Sequence, residues 1–265
     1  MTPPAARSYL FVPGNRPERF DKAVASGADA VIIDLEDAVP AAERQTARAN
    51  VRAWLNPERP VFIRVNGATT EWHRDDIALA NLPGVAGIVL PKAERAADIA
   101  AIPTTVLPII ETAIGFSHAS LLANVSNSER LIFGSIDFQV DLAIHGDGEE
   151  LLYFRSELVF VARLAGQPAP VDGVTAAFDN PELLRSDTDR ARRLGFGGKL
   201  CIHPKQIATV HQCFGPTPAE LAWAARVVEA ARAAGGAAVS MNGEMIDRPV
   251  IARAEAMLHY RRSSS

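Results

Sequence analysis

Cysteine is scarce in this chain: Cys201 and Cys213 are the 2 found in 265 residues. They stand in different contexts without metal-ligand spacing, so neither a disulfide scaffold nor a zinc site is expected, and a reducing, cytoplasmic compartment fits. Long apolar runs are also missing. None approaches the roughly 18 residues of a spanning helix, and residues 1–7 carry no basic stretch leading into an apolar core, so neither a membrane span nor a secretory leader is expected. An excess of charge of one sign is absent too: 27 Lys and Arg against 31 Asp and Glu leave a formal net charge of -4. That balance gives no electrostatic reason to bind nucleic acid or acidic membranes, and it leaves small molecules as the expected partners. Finally, no Gly-x-Gly-x-x-Gly follows the first strand-like run, which argues against an open dinucleotide-binding sheet.

What the sequence does have is a regular alternation. Short apolar or β-branched runs occur at 8–12, 30–35, 61–65, 87–90, 105–110, 131–136, 170–174 and 199–202. Each is strand-sized. Between them, stretches such as 16–26, 43–54, 93–101, 116–124, 149–165 and 181–194 repeat their apolar positions at helical spacing. Right-handed βα crossovers make a parallel sheet, and eight such units favour closure into a (β/α)8 TIM barrel, which typically takes about 250 residues. The expected organisation is a catalytic barrel over 1–215 and a C-terminal helical extension over 216–265 that packs on a neighbouring subunit. In that extension an Ala-rich helix is expected over 218–234, then a flexible Gly235-Gly236, then a final helix over 249–260.

The barrel reading gives meaning to acids at strand ends. Asp34, Glu36 and Asp37 follow the second strand; alternation points Asp34 and Glu36 to one face and turns Asp37 into the loop. Glu111 ends the fifth run and Asp137 the sixth. All would meet at one rim, where a barrel of this kind binds its ligands. Two carboxylates about 4 Å apart repel by roughly 4 kcal/mol at an effective dielectric near 20, and a bound cation removes that penalty. Oxygen ligands without His or Cys suit Mg²⁺ or Mn²⁺. Asp141 is a register alternative to Asp137.

Other residues allow two readings each. Arg64, in the third strand, is either a structural ion pair for these acids or a bidentate grip on a carboxylate or developing oxyanion. Lys92, after the fourth strand, is either a charge partner of Glu111 or Glu36 or a Schiff-base lysine, which would make a metal-free aldolase. Arg16, Arg19 and Lys22 begin a basic helical turn that could hold an anion or simply be solvated. His203 at the end of strand eight is expected to be packed or hydrogen-bonded, and Asp247 before Arg248-Pro249 is placed to cap a helix.

Six fragments together resemble the HpcH/HpaI aldolase and citrate lyase β-chain family: RSYLFVPG at 7–14, DLEDAV at 34–39, IRVN at 63–66, PIIET at 108–112, GFGGKLCIHP at 195–204 and MIDRP at 245–249. Their order and spacing carry the resemblance, which covers nearly the whole chain. It implies a Mg²⁺-dependent barrel that makes or breaks the carbon-carbon bond of β-hydroxyacyl-CoA thioesters. By resemblance, Glu111 and Asp137 would be direct metal ligands, and Glu36 and Asp37 would hold metal-bound waters. Arg64 and Glu111 would bind substrate, Arg64 steadying the enolate or keto-acid oxygen. Asp247 would exchange a proton with the acetyl methyl carbon from the tail of a neighbouring subunit, which implies a homotrimer or a hexamer. Arg16, Arg19 and Lys22 would meet the phosphates of CoA. The chain is shorter than the β-chains of multisubunit citrate lyase, notably between residues 91 and 105, so a stand-alone lyase is expected. Citramalyl-CoA is the expected substrate and malyl-CoA the next, with citryl-CoA related. Alternatives are a metal-dependent aldolase acting on free hydroxy-keto acids and a malate synthase-like or thioesterase-like net reaction.

Overall fold

The computed structural model describes residues 5–233, 239–241 and 244–263. The chain forms two compact units, Ala5–His211 and the described part of Gln212–Ser265. In the first unit eight parallel strands close into a barrel. They are β1 (Ser8–Pro13), β2 (Ala30–Asp34), β3 (Val61–Arg64), β4 (Val85–Leu90), β5 (Val106–Ile110), β6 (Ile132–Phe133), β7 (Val171–Asp172) and β8 (Gly198–Cys201). Each strand pairs with the next, and β8 pairs back on β1. The expected TIM barrel is the observed fold.

Near-continuous apolar runs suit strands covered on both faces, by the barrel core inside and by helices outside. The interior is filled by Tyr9, Ile32, Val89, Leu107, Ile109, Ile132, Val171 and Leu200, with Phe11, Phe62 and Val174 packed against them. Because side chains two apart share a face, this inner layer carries on to the mouth at Asp34, Arg64, Glu111, Gly134 and Gly173.

The sixth strand is shorter than the sequence suggests. It ends at Phe133, and the helix Ser135–Leu142 begins at once, so Asp137 lies in the first turn of a helix and not at a strand end. Gly134 makes the break, with ψ of 72° and a carbonyl that accepts the Phe138 N–H at 3.0 Å. An apolar run cannot reveal such a change of period by itself. The seventh strand is likewise reduced to Val171–Asp172. Two short helices that the pattern did not suggest, His73–Ile77 and Ile207–Phe214, complete the alternation.

The C-terminal unit holds the two expected helices, Pro218–Ala233 and Arg248–Ser263. Ala224, Val227, Ile246 and Ala254 are its buried core, with Trp223 and Met257 packed beside them. An antiparallel pair, β9 (Val239–Met241) and β10 (Glu244–Ile246), was not anticipated. Gly235-Gly236 lies outside the described residues. Among the described residues no helix is long and apolar enough to cross a membrane.

Candidate active site

Strand register makes the first contact of the site. Asp34 and Arg64 are the last residues of β2 and β3 and are direct partners across the two strands. The guanidinium therefore meets the carboxylate as a fork, Nε to Oδ1 at 2.6 Å and Nη2 to Oδ2 at 2.7 Å. Asp34 also accepts the N–H groups of Glu36 and Ala38, each at 3.0 Å, which shapes the acidic loop. Beneath, the Arg64 guanidinium carbon lies 4.8 Å from the centre of the Phe11 ring. Burial opposes its charge, but Asp34, Glu36 and Asp37 outweigh burial and hold Arg64 above the ordinary arginine value. The group is thus fixed as a cation, with Nη1 turned toward Glu36 Oε2 at 3.1 Å and Asp37 Oδ2 at 3.4 Å.

Glu111 continues the inner face of β5 past Ile109 and is 2 % exposed. It can sit there because residue 134, just past the end of the neighbouring strand β6, is glycine: a methyl group at 134 would overlap the Glu111 carboxylate and lie 2.6 Å from its Cβ. The Lys92 backbone N–H donates to Glu111 Oε1 at 2.7 Å. The Lys92 ammonium lies among three acids, 3.2 Å from Glu36 Oε1, 3.6 Å from Asp137 Oδ1 and 4.0 Å from Glu111 Oε1. Burial opposes its charge, but these three carboxylates hold it above the ordinary lysine value. Lys92 is therefore a charge partner at neutral pH, not the free amine that Schiff-base formation needs.

Arg64, Glu111 and Asp137 line one cavity of about 400 Å³, floored by Phe11, Ile109, Val174 and Leu200. Charge around it is out of balance. Five carboxylates (Asp34, Glu36, Asp37, Glu111 and Asp137) share two cations, Arg64 and Lys92. Burial, followed by the repulsion of Asp137, pushes Glu111 up to about 8. Burial likewise pushes Glu36 up to about 7, with Asp37 adding to the rise against the pull of Arg64. Glu36 Oε2 is buried without a hydrogen bond, since its approach to Arg64 is an ion pair out of alignment. A cation placed among these acids would offset both the orphaned oxygen and the rise that burial and repulsion impose on Glu36 and Glu111. No three acid, His or Cys side chains among the described residues already close around one point. A magnesium site does not need that, because one or two carboxylates suffice when water and substrate oxygens complete the shell.

The remaining expectations fall in different places. Asp37 is exposed on the loop. Arg16 precedes a short 3-10 turn after β1 and pairs with Glu18 at 2.7 Å, Arg19 stands 3.9 Å from the same acid, and Lys22 is exposed on Phe20–Val24. None of the three lines the cavity. Asp141 accepts the Ala113 N–H at 2.7 Å and so serves the helix after β5. His203 accepts the Lys205 N–H at 3.1 Å and stacks on Phe178. Asp247 lies in the C-terminal unit and caps Arg248–Ser263, its Oδ1 accepting the Val250 N–H at 3.4 Å. Sequence reasoning offered Arg64 as an ion pair for the acids after β2 without singling out Asp34 as the clamp, and it left out Gly134 as the space beside Glu111. The signals were there: two opposite charges closing adjacent strands, and a glycine inside the sixth apolar run.

Comparison with known proteins agrees with this fold. A curated relative from Deinococcus radiodurans, named citrate lyase subunit beta-like protein, is 38% identical over 281 residues, covering 97% of this chain and 98% of its own. A (3S)-malyl-CoA thioesterase of Cereibacter sphaeroides is 34% identical and covers 97% of each chain. Among solved structures, CitE of Mycobacterium tuberculosis in complex with magnesium, acetoacetate and coenzyme A superposes with a TM-score of 0.89 at 35% identity, covering 98% of this chain and 99% of that one. The family model described as HpcH/HpaI aldolase/citrate lyase matches residues 7–204. With a closed eight-stranded barrel, an acidic mouth and a relative 38% identical over 97% of the chain, the chain belongs to the HpcH/HpaI aldolase/citrate lyase family.

Proposed function

We propose that this protein is a Mg²⁺-dependent carbon-carbon lyase that cleaves a β-hydroxyacyl-CoA thioester, with Glu111 and Asp137 as the ligands of the cation. The observation that carries this reading is the acid-rich cavity in which Glu111 and Asp137 share a single ammonium beside a clamped Arg64. The magnesium and coenzyme A in the CitE relative support it. Bound Mg²⁺, or Mn²⁺ in its place, would supply Lewis-acid stabilisation of developing negative charge on substrate oxygen. Glu36 and Asp37 would receive hydrogen bonds from water at the edge of that site. Arg64, fixed by Asp34 and stacked on Phe11, presents its unused N–H groups to an enolate or keto-acid oxygen with little reorganisation. Asp247 of a neighbouring copy would exchange the proton of the acetyl methyl carbon. Arg16, Arg19 and Lys22 would meet the phosphates of CoA.

Cavity chemistry narrows the substrate. Phe11, Ile109, Val174 and Leu200 form an apolar floor, while both cations at the mouth are already shared among acids. A small apolar substituent on the hydroxyl-bearing carbon packs against this floor, whereas a second carboxylate placed there would leave water for an apolar surface. That favours citramalyl-CoA, giving pyruvate and acetyl-CoA, with malyl-CoA next and citryl-CoA last. The thioesterase relative favours hydrolysis of the thioester as a second activity.

Self-association belongs to the same proposal. Ile114, Leu121, Val140, Tyr153, Phe160 and Leu164, on helices outside β5 and β6, are each more than half exposed. An apolar face of that kind marks an interaction surface, here one between copies in a homotrimer or hexamer.

The test is a panel of citramalyl-, malyl- and citryl-CoA assayed for acetyl-CoA and for free CoA, with Mg²⁺ and with excess EDTA. Release of acetyl-CoA that needs Mg²⁺ is expected, fastest with citramalyl-CoA. Full activity in EDTA, or cleavage only of free hydroxy-keto acids, overturns the reading.

A further inference from the structure

Lys92 holds a backbone φ of +47°. Glycine adopts that left-handed conformation freely and residues with a side chain do so uncommonly, so a lysine there calls for a reason. The backbone provides half of it: in this turn the Lys92 N–H reaches Glu111 Oε1, at 2.7 Å. Glycine would serve that hydrogen bond equally well. The side chain provides the other half, because its ammonium stands 3.2 to 4.0 Å from carboxylates that follow β2, β5 and β6. It also has somewhere else to go. The side chain is 44% exposed, and Lys92 borders a second cavity of about 370 Å³ that Glu94 also lines, with Arg44 and Arg95 on its wall and Asp98 already forked by Arg95.

We propose that Lys92 is a built-in counter-ion, its ammonium holding Glu36, Glu111 and Asp137 together while no divalent cation is bound and swinging out toward Glu94 when one binds. This rests on the reading that Glu111 and Asp137 are cation ligands. A single positive charge among three acids competes with a divalent cation for the same field. Removing it has opposite consequences in the two states: the cation-free protein loses its neutralising charge, while the cation gains a site without a competitor. By linkage, the factor by which the ammonium weakens the cation is the factor by which the cation releases the ammonium.

The experiment compares wild type with Lys92→Met and Lys92→Gly, the second of which also relieves the backbone conformation. Mn²⁺ affinity is read by electron paramagnetic resonance titration, and the unfolding midpoint is read in EDTA and in Mg²⁺. Both variants are expected to bind Mn²⁺ more tightly by on the order of tenfold. Both should also melt earlier than wild type in EDTA and gain more from Mg²⁺. A variant too unstable to purify without metal is purified in Mg²⁺ and then unfolded by EDTA; rescue by added Mg²⁺ supports the proposal, and no rescue overturns it. Equal or weaker Mn²⁺ binding in both variants removes the role of Lys92 alone. Failure of wild type to bind Mn²⁺ at all removes the metal reading beneath it.

Discussion

Glutamine in place of Glu111 should stabilise the metal-free protein while abolishing its response to magnesium. In the folded chain burial and then Asp137 push Glu111 up from 4.5 to about 8. A carboxyl raised on folding favours the folded state when protonated; its contribution is complete below the unfolded value and is lost as pH climbs through the folded one. Near neutral pH the gap to the unfolded value is about 2.5 pH units, a penalty of about 3 kcal/mol for a lone acid at 1.36 kcal/mol per unit. Glu36 and Asp137 share the same field, which leaves roughly 1 to 3 kcal/mol to Glu111. Glutamine keeps the shape and the acceptor for the Lys92 N–H, yet carries no charge. In EDTA near pH 7 the variant should therefore melt above wild type, by roughly 2 to 4 °C for each kcal/mol in a chain of this size. Saturating Mg²⁺ should raise wild type, by about 2.7 kcal/mol at a hundred times its dissociation constant, and leave the variant unmoved. Scanning calorimetry reads both effects. A variant less stable than wild type in EDTA, or one that still gains from Mg²⁺, would refute the reasoning.

The same raised acids set a pH dependence: metal-free wild type should gain stability as pH falls from about 8 toward 4.5, as Glu111 and Glu36 take up protons, and Mg²⁺ should flatten this trend in melts across that window. Gly134→Ala drives a methyl to 2.6 Å from Glu111 Cβ and 2.8 Å from Ile109 Cγ2; a loss of about 1 to 3 kcal/mol in chemical denaturation is expected, together with weaker Mn²⁺ binding. Asp247→Asn keeps a good helix cap but removes the acid, so its melting curve should match wild type while acetyl-CoA release falls by about 10² or more.

Much of the fold was legible because βα alternation survives at the level of single apolar runs, and the edges that failed did so for identifiable reasons. The run 131–136 reads as one strand, yet Gly134 ends the extended conformation and lets a helix start inside an apolar stretch. The antiparallel pairing of β9 with β10 is the kind that Asn-Gly in the sequence at 242–243 signals, but runs of three residues are too short to stand out by period. At the site, Glu36, Glu111 and Arg64 were visible because charge at the end of an apolar run is rare and points to the rim. Asp34 looked like one acid in a cluster, and its clamp on Arg64 emerges only from the register of β2 on β3. Lys92 was ambiguous for a similar reason: one letter cannot say whether an ammonium is desolvated and reactive or surrounded by carboxylates, and here three of them settle it.

The most direct test of the central claim is anomalous diffraction from crystals grown with Mn²⁺. One peak is expected at the mouth of the barrel, within coordination distance of an oxygen of Glu111 and an oxygen of Asp137, with Arg64 still forked on Asp34. A peak bound to neither carboxylate, or to one of them far from the other, would contradict the account.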